Sequence, residues 1–380
     1  MAVISLGVGR RLALVPLAIA LGCGGATARP TGPSASTSSS AGGGGGRSQL
    51  HAKAIAVGAE HACALTSEGK VLCWGANKDG QLGDGTTARR DVPVAVTGLP
   101  GPIVEIAAGA SHTCARASDG GVWCWGSNGR GELGDGTLDG RTHAVRVENL
   151  LAAAQIAAGG HRTCARNKAD RFVVCWGELT EGGATKNPEP VFDMPAAEEI
   201  AVGALHACAR LEDGHVRCWG DNAMRQLGVQ HQDDRGLPVD VHDLEKVVQL
   251  SLGERHSCAR TADGTALCWG GGLVCVPGDW FEGKRVAVRP GKILGMDGAT
   301  SIAAGADRAC VVKKDGTVAC ARPRGTTGDP KERACVSDTV AGLSGVADVA
   351  IGGAFACARL AKDGAVLCWS DGVAPAPIPL

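Results

Sequence analysis

The sequence predicts an all-β fold, a seven-bladed propeller of four-stranded blades, preceded by an export signal and a flexible linker. Three observations predict it. A hairpin pattern with a cysteine on each arm recurs seven times. The first cysteines of these pairs, from Cys63 to Cys357, fall 44 to 52 residues apart. Each repeat also divides into four short strand-like pieces separated by turn residues, which is how propeller blades are built.

Residues 1–22 read as a targeting segment. Arg10 and Arg11 form a positive start, and residues 12–21 are an apolar run too short to span a bilayer. The run ends in Ala20-Leu21-Gly22-Cys23. This resembles a bacterial lipoprotein signal, which implies that Cys23 is lipidated and becomes the first residue after cleavage. The alternative is an ordinary secretory signal, and both take the chain out of the cytoplasm. Residues 23–49 are rich in Gly, Ser and Pro. They lack the apolar content for a core and read as a flexible tether. Together the segments predict an exported protein held in the cell envelope by lipid, with an outer membrane or cell surface favoured, or a secreted one.

The propeller occupies residues 50–380, and residues 109–126 (GASHTCARASDGGVWCWG) show its unit most clearly. Small or apolar residues alternate with polar ones on both arms, and Ser118-Asp119-Gly120-Gly121 supplies a tight turn between them. Cys114 and Cys124 are equidistant from Asp119, so folding about the turn sets them opposite each other. Facing residues of an antiparallel pair lie within the span that a disulfide accepts. The same reading pairs Cys63 with Cys73, Cys164 with Cys175, Cys208 with Cys218, Cys258 with Cys268, Cys310 with Cys320 and Cys357 with Cys368. Of the 17 cysteines, Cys275 and Cys335 then remain besides Cys23. Both fall in the expected loop regions of blades five and six, where neighbouring blades can bring them together as an eighth bridge.

Two further pieces complete each blade. A run of small residues such as Ile106-Ala107-Ala108-Gly109 precedes the hairpin and suits the crowded axis of a ring. A piece such as Pro93-Val94-Ala95-Val96 follows it as the outer strand. The last residues, Pro377-Ile378-Pro379-Leu380, match the outer strand of blade seven. One blade cannot bury its own faces; seven in a ring can, and closure leaves no long exposed edge.

The phrase Cys73-Trp-Gly-Ala-Asn-Lys-Asp-Gly-Gln-Leu-Gly-Asp-Gly-Thr86 returns almost unchanged from Cys124 to Thr137 and in part around residues 222–228. It resembles the regulator of chromosome condensation repeat, which implies a seven-bladed propeller over residues 50–380. Blades three, five, six and seven keep the hairpin but lose the Gly-Gln-Leu-Gly-Asp-Gly-Thr loop. The cysteine pairs depart from the family's eukaryotic members and suit an exported chain. Nucleotide exchange, the founding activity of the family, is not expected. An exported chain does not meet the nuclear GTPase involved, and no segment resembles the wedge that performs exchange.

Composition and motifs limit the chemistry. A net charge of −1 argues against nucleic acid as a partner. His61, His112, His161, His206 and His256 read as one repeated position just ahead of the first cysteine. A ring spreads such residues around its axis rather than gathering them on an ion, so they are expected to be structural and no metal is expected. Trp74, Trp125, Trp176, Trp219, Trp269 and Trp369 are expected to pack between blades. Asp84 and Asp135 offer one carboxylate per loop, which fits turn chemistry better than calcium. No nucleophile–base pair, paired carboxylates or phosphate loop stands out, so neither an enzyme nor a cofactor is expected.

Binding surfaces on a repeat scaffold lie where the repeat is broken. The largest break is residues 270–284, where Trp280 and Phe281 fall outside every repeat position in a chain with four Phe and no Tyr. They are the leading candidates for binding a protein partner. Residues 230–235 and 322–333 are weaker ones. A polysaccharide-binding or carbohydrate-active surface protein is the alternative.

Overall fold

The computed structural model describes residues 51–178, 183–230, 235–271, 279–281, 284–324, 334–353, 355–370 and 372–380. The signal, the tether, Cys23 and Cys275 lie outside them. The fold is all-β, with seven sheets and, among the described residues, no helix. Six sheets have four antiparallel strands taken in chain order, and blade five has five. Blade two is representative. Its strands are Ile103–Ala108, His112–Ala117, Val122–Gly126 and Arg141–Arg146.

The hairpin registers match the expectation. Cys114 faces Cys124 in the ladder, and every other predicted pair is likewise in register. All seven pairs have Cα–Cα distances of 4.0–4.1 Å with sulfurs at bonding distance.

The hydrophobic core lies between blades rather than within them. Cys63, Cys73 and Leu82 of blade one pack against Ile103, Ile106 and Trp125 of blade two. Cys114, Cys124 and Leu133 pack against Ile156 and Trp176 in the same way one blade on. A single sheet has two faces and no interior, so each face must be covered by a neighbour. Each cysteine pair thus sits on the face that its blade turns to the next, and each tryptophan on the face turned back. Trp125, Trp176 and Trp269 are buried, as are Trp74, Trp219 and Trp369.

The ring has two faces, named here by what they carry. The turn face bears the hairpin turns and the connections between blades. The loop face bears the loops that lead into the outer strands. On the turn face the hairpin turn of one blade accepts a hydrogen bond from the inner strand of the next: Ile103 N to Gly69 O at 2.9 Å and Ala153 N to Gly120 O at 2.8 Å. Ala52 N to Gly364 O, at 3.1 Å, makes the same bond between blades seven and one. The ring therefore closes with no exchanged strand. Ala52, Ala62 and Trp74 of blade one pack on Cys357 and Val366 of blade seven at this seam.

Side-chain clasps reinforce only some interfaces. Gln155 donates to Ile200 O and accepts from Ile200 N, at 3.1 and 2.9 Å. Gln249 does the same with Ile302, and Glu105 and Glu199 accept from Ile156 N and Leu250 N. Blade seven has the shorter Asp348 at this position. Its Oδ2 takes Arg359, while its Oδ1 has no hydrogen-bond partner. The seam is consequently held less tightly than the interface between blades three and four. Native-state hydrogen exchange should show the Ile55 amide exchanging at least about tenfold faster than the Ile200 amide. Equal protection would mean that the clasps do not matter.

Candidate functional site

Blade five breaks the pattern. After its third strand, Ala266–Gly271, come a short strand Asp279–Phe281 and a long one Lys284–Lys292. The short strand pairs outside the long one, with Trp280 opposite Arg285 and Phe281 opposite Lys284. The two aromatic positions therefore lie on an added edge strand at the rim of the ring, toward the loop face. Cys335 lies in the outer strand of blade six, Ala334–Thr339, rather than in a loop as expected. Of the weaker candidates, residues 231–234 and 325–333 lie outside the described residues.

The repeated loops are structural at each polar atom. The Asp84 carboxylate accepts from Thr86 N at 3.0 Å, Thr86 Oγ1 at 2.7 Å, Asn77 Nδ2 at 3.1 Å and Arg90 Nε at 2.9 Å. Burial opposes its charge, but these donors outweigh it and hold its pKa below the ordinary value. Asp135 repeats the arrangement with Asn128, Thr137 and Arg141.

The histidines fall into two groups. His61, His112, His206 and His256 are fully buried. His112 donates from Nε2 to Thr163 Oγ1 of the next blade at 2.8 Å, and Thr163 donates onward to Glu132 O at 3.0 Å. Trp176 Nε1 reaches the same carbonyl at 2.8 Å. His61 with Thr113 and Gln81, and His206 with Ser257 and Gln226, make the same relay. Each ring also lies on backbone too close to admit a side chain: a Cβ on Gly109 would sit 2.1 Å from His112 Cε1. Burial, first of all, holds these imidazoles neutral, His61 and His206 down to about 3 and His112 and His256 to about 4.

His161 does not belong to this set. It stands three residues ahead of Cys164, and Arg162 fills the repeated position, buried and donating to Glu178 O at 2.6 Å. His161 is half-exposed and bonds through Nδ1 to Glu132 Oε1 at 3.0 Å. That bond raises the His161 pKa. Burial opposes the Glu132 charge, but the bonds from His161 and the nearby backbone prevail and bring its carboxyl to about 2.

His161 also borders a channel of about 560 Å³ on the ring axis, walled by inner-strand ends such as Ala56, Ala107, Ala157 and Ala303. Its wall is mostly backbone and methyl groups, with Gln249, Ser251 and Glu254 as polar additions. Among the described residues no group of three or more His, Cys, Asp or Glu is placed to hold a metal ion. What the arrangement offers is a rigid ring with surfaces to present.

Residues 19–321 match the family model described as the RCC1-like domain. The human E3 ubiquitin-protein ligase HERC2 is 30% identical over 206 residues, which cover 50% of this chain and 4% of that one. The ultraviolet-B receptor UVR8 of Arabidopsis thaliana is 33% identical over 200 residues, covering 50% of this chain and 46% of its own. The chain thus spans less than half the length of these curated relatives. Among solved structures, Prp20p of Saccharomyces cerevisiae has a TM-score of 0.70 at 22% identity, with 87% of each chain covered. Human WBSCR16 has a TM-score of 0.69 at 18% identity, covering 82% of this chain and 95% of that one. At such identities the likeness is one of fold.

Proposed function

Because the chain belongs to the RCC1-like domain family, we propose that it is a non-catalytic platform that binds another protein outside the cytoplasm. The observation that carries this reading is the added edge strand of blade five, which brings Trp280 and Phe281 to the rim where the repeat is broken. An edge strand leaves backbone N–H and C=O groups open to a second chain, and adjacent aromatics are favoured interface anchors. The structure of Prp20p was described with that protein's binding to Gsp1p and histones, so binding proteins is within the reach of this fold. Lipid at Cys23 and the tether of residues 23–49 would hold the ring at a membrane surface, and export would oxidise the seven cysteine pairs.

The test is crosslinking in native cells, capture of the tagged chain and mass spectrometry, with Trp280→Ala/Phe281→Ala as control. A partner lost in the control supports the reading and locates the site. No enriched protein would move the reading to a polysaccharide ligand. Labelled fatty acid supplied in the same cells should enter the wild-type chain and not Cys23→Ala; equal labelling would remove the anchor from the proposal.

A further inference from the structure

Phe172 and Phe192 are 52% and 70% exposed, in a chain with four phenylalanines. Both belong to blade three and both lie on its turn face. Val174 pairs with Pro190, and Val191 N donates to Val173 O at 2.9 Å. The ladder therefore brings Phe172 and Phe192 opposite each other at its end. Their chain neighbours Arg171 and Asp193 have φ of 60° and 56°, a conformation that side chains rarely adopt. Two tight turns thus hold the rings out toward solvent. Leu151, 64% exposed, lies beside the same hairpin turn, where Lys168 N donates to Ala152 O at 2.8 Å.

This pair breaks the repeat. The position of Phe172 carries Lys70, His215, Thr265 and Thr317 in other blades; that of Phe192 carries Thr97, Glu148 and His242, and in blade five the exposed Leu294, which has Thr265 rather than a second apolar residue opposite it. Nothing in blade packing calls for two exposed rings here. Single exposed apolar residues are ordinary; two exposed phenylalanines at opposed ladder positions, with an exposed leucine at the same hairpin turn, mark an interaction site.

The surroundings say what kind of partner fits. Asp170, Asp193, Glu198 and Glu212 lie in the adjoining turns and strand ends. The cations among them are already engaged. Arg171 bonds Glu198 and lies 3.6 Å from Glu212, and Arg217 bonds Asp240 at 2.8 Å and the Asp193 carbonyl at 3.0 Å. Lys168 adds one charge at the turn; Asp170 and the Asp193 carboxylate have no ion pair among the described residues, whereas Asp213 pairs with His215 and Asp243 with Arg289.

We infer that this apolar, acid-rimmed patch on the turn face of blade three docks a protein segment that presents aliphatic side chains flanked by lysine or arginine. The apolar contact supplies affinity and the carboxylates supply orientation and on-rate. The inference rests on the protein-binding reading but uses the face away from Trp280 and Phe281, so the two sites fail independently.

The test uses the full chain and three short fluorescein-labelled peptides, one of alternating Leu and Lys, one of Leu and Glu, and one of Gly and Lys. Anisotropy should show saturable binding of the Leu/Lys peptide, about tenfold or more tighter than either control. Phe172→Ser/Phe192→Ser should lose about tenfold or more with the melting temperature unchanged, since neither ring is in the core. Asp193→Asn/Glu212→Gln should weaken binding and flatten its salt dependence. Equal affinity for the three peptides, or no loss in the phenylalanine variant, would overturn the inference. So would self-association, seen by sedimentation, that the phenylalanine variant abolishes, because the patch would then belong to a second copy. If the peptide fails while crosslinking still yields a partner dependent on Trp280 and Phe281, the broader reading stands and this site falls.

Discussion

Lowering the pH to about 4.5 is expected to unfold the ring. Four imidazoles are buried neutral, with folded pKa values near 3 to 4 against the ordinary 6.5. The unfolded chain therefore binds protons that the folded chain refuses. Stability is complete above pH 6.5 and falls with the pH below it, until the folded pKa is reached. Each pH unit costs about 1.4 kcal/mol per group. Four groups at two units below 6.5 lose about 11 kcal/mol together, comparable to the whole stability of a domain. The geometry agrees, because Nδ1 of His61, His112 and His206 is buried with no acceptor for the proton it would gain. Some groups pull the other way. Burial raises the Glu105 and Glu199 carboxyls, and protonated His161 gains from Glu132. The urea midpoint should fall steeply from pH 6.5 to 4.5, and His112→Gln/His206→Gln should flatten that slope. A midpoint constant over this range would refute the argument.

Trp176→Ala should cost about 3–5 kcal/mol, the range for emptying a buried aromatic site. The indole fills the interface between blades two and three, against Cys114, Cys124 and Leu133. Its Nε1 also serves the Glu132 carbonyl. Trp176→Phe should keep most of the packing and lose only the hydrogen bond, about 1 kcal/mol, because Thr163 still donates to that carbonyl. Chemical denaturation of the two variants separates packing from polarity. Equal losses would mean that the hydrogen bond dominates.

The blades were legible because each hairpin is local: a turn, an alternating pattern and a cysteine pair are written within a dozen or so residues. The interblade position of the tryptophans followed from their size. Their hydrogen bonds did not, since the acceptor is a backbone carbonyl 43 or 44 residues away. His161 was misassigned by one residue, because the eye aligns histidine with histidine while the ladder aligns Arg162. The added strand at Asp279–Phe281 was visible as a break in the repeat, though not as a strand. Phe172 and Phe192 were missed altogether. Twenty residues separate them, and only the pairing of the third and outer strands brings them together. The extra residue between Cys164 and Cys175 was no local sign of it, because Cys357 and Cys368 enclose the same extra residue without an exposed phenylalanine.

At the three interfaces that carry the relay, it leaves a blade at the histidine and returns to that blade's loop carbonyl, and the carbonyl always holds the indole of the next blade, which gives these interfaces a common sense of rotation. Gln81 secures Trp125, Glu132 secures Trp176 and Gln226 secures Trp269, always one blade ahead. The site of a lesion and the site of its symptom should therefore differ. Damage to the loop of blade two should loosen the indole of blade three and leave the aromatic of its own blade undisturbed. At these three interfaces the phenotype of a loop variant should be sought one step downstream of its address.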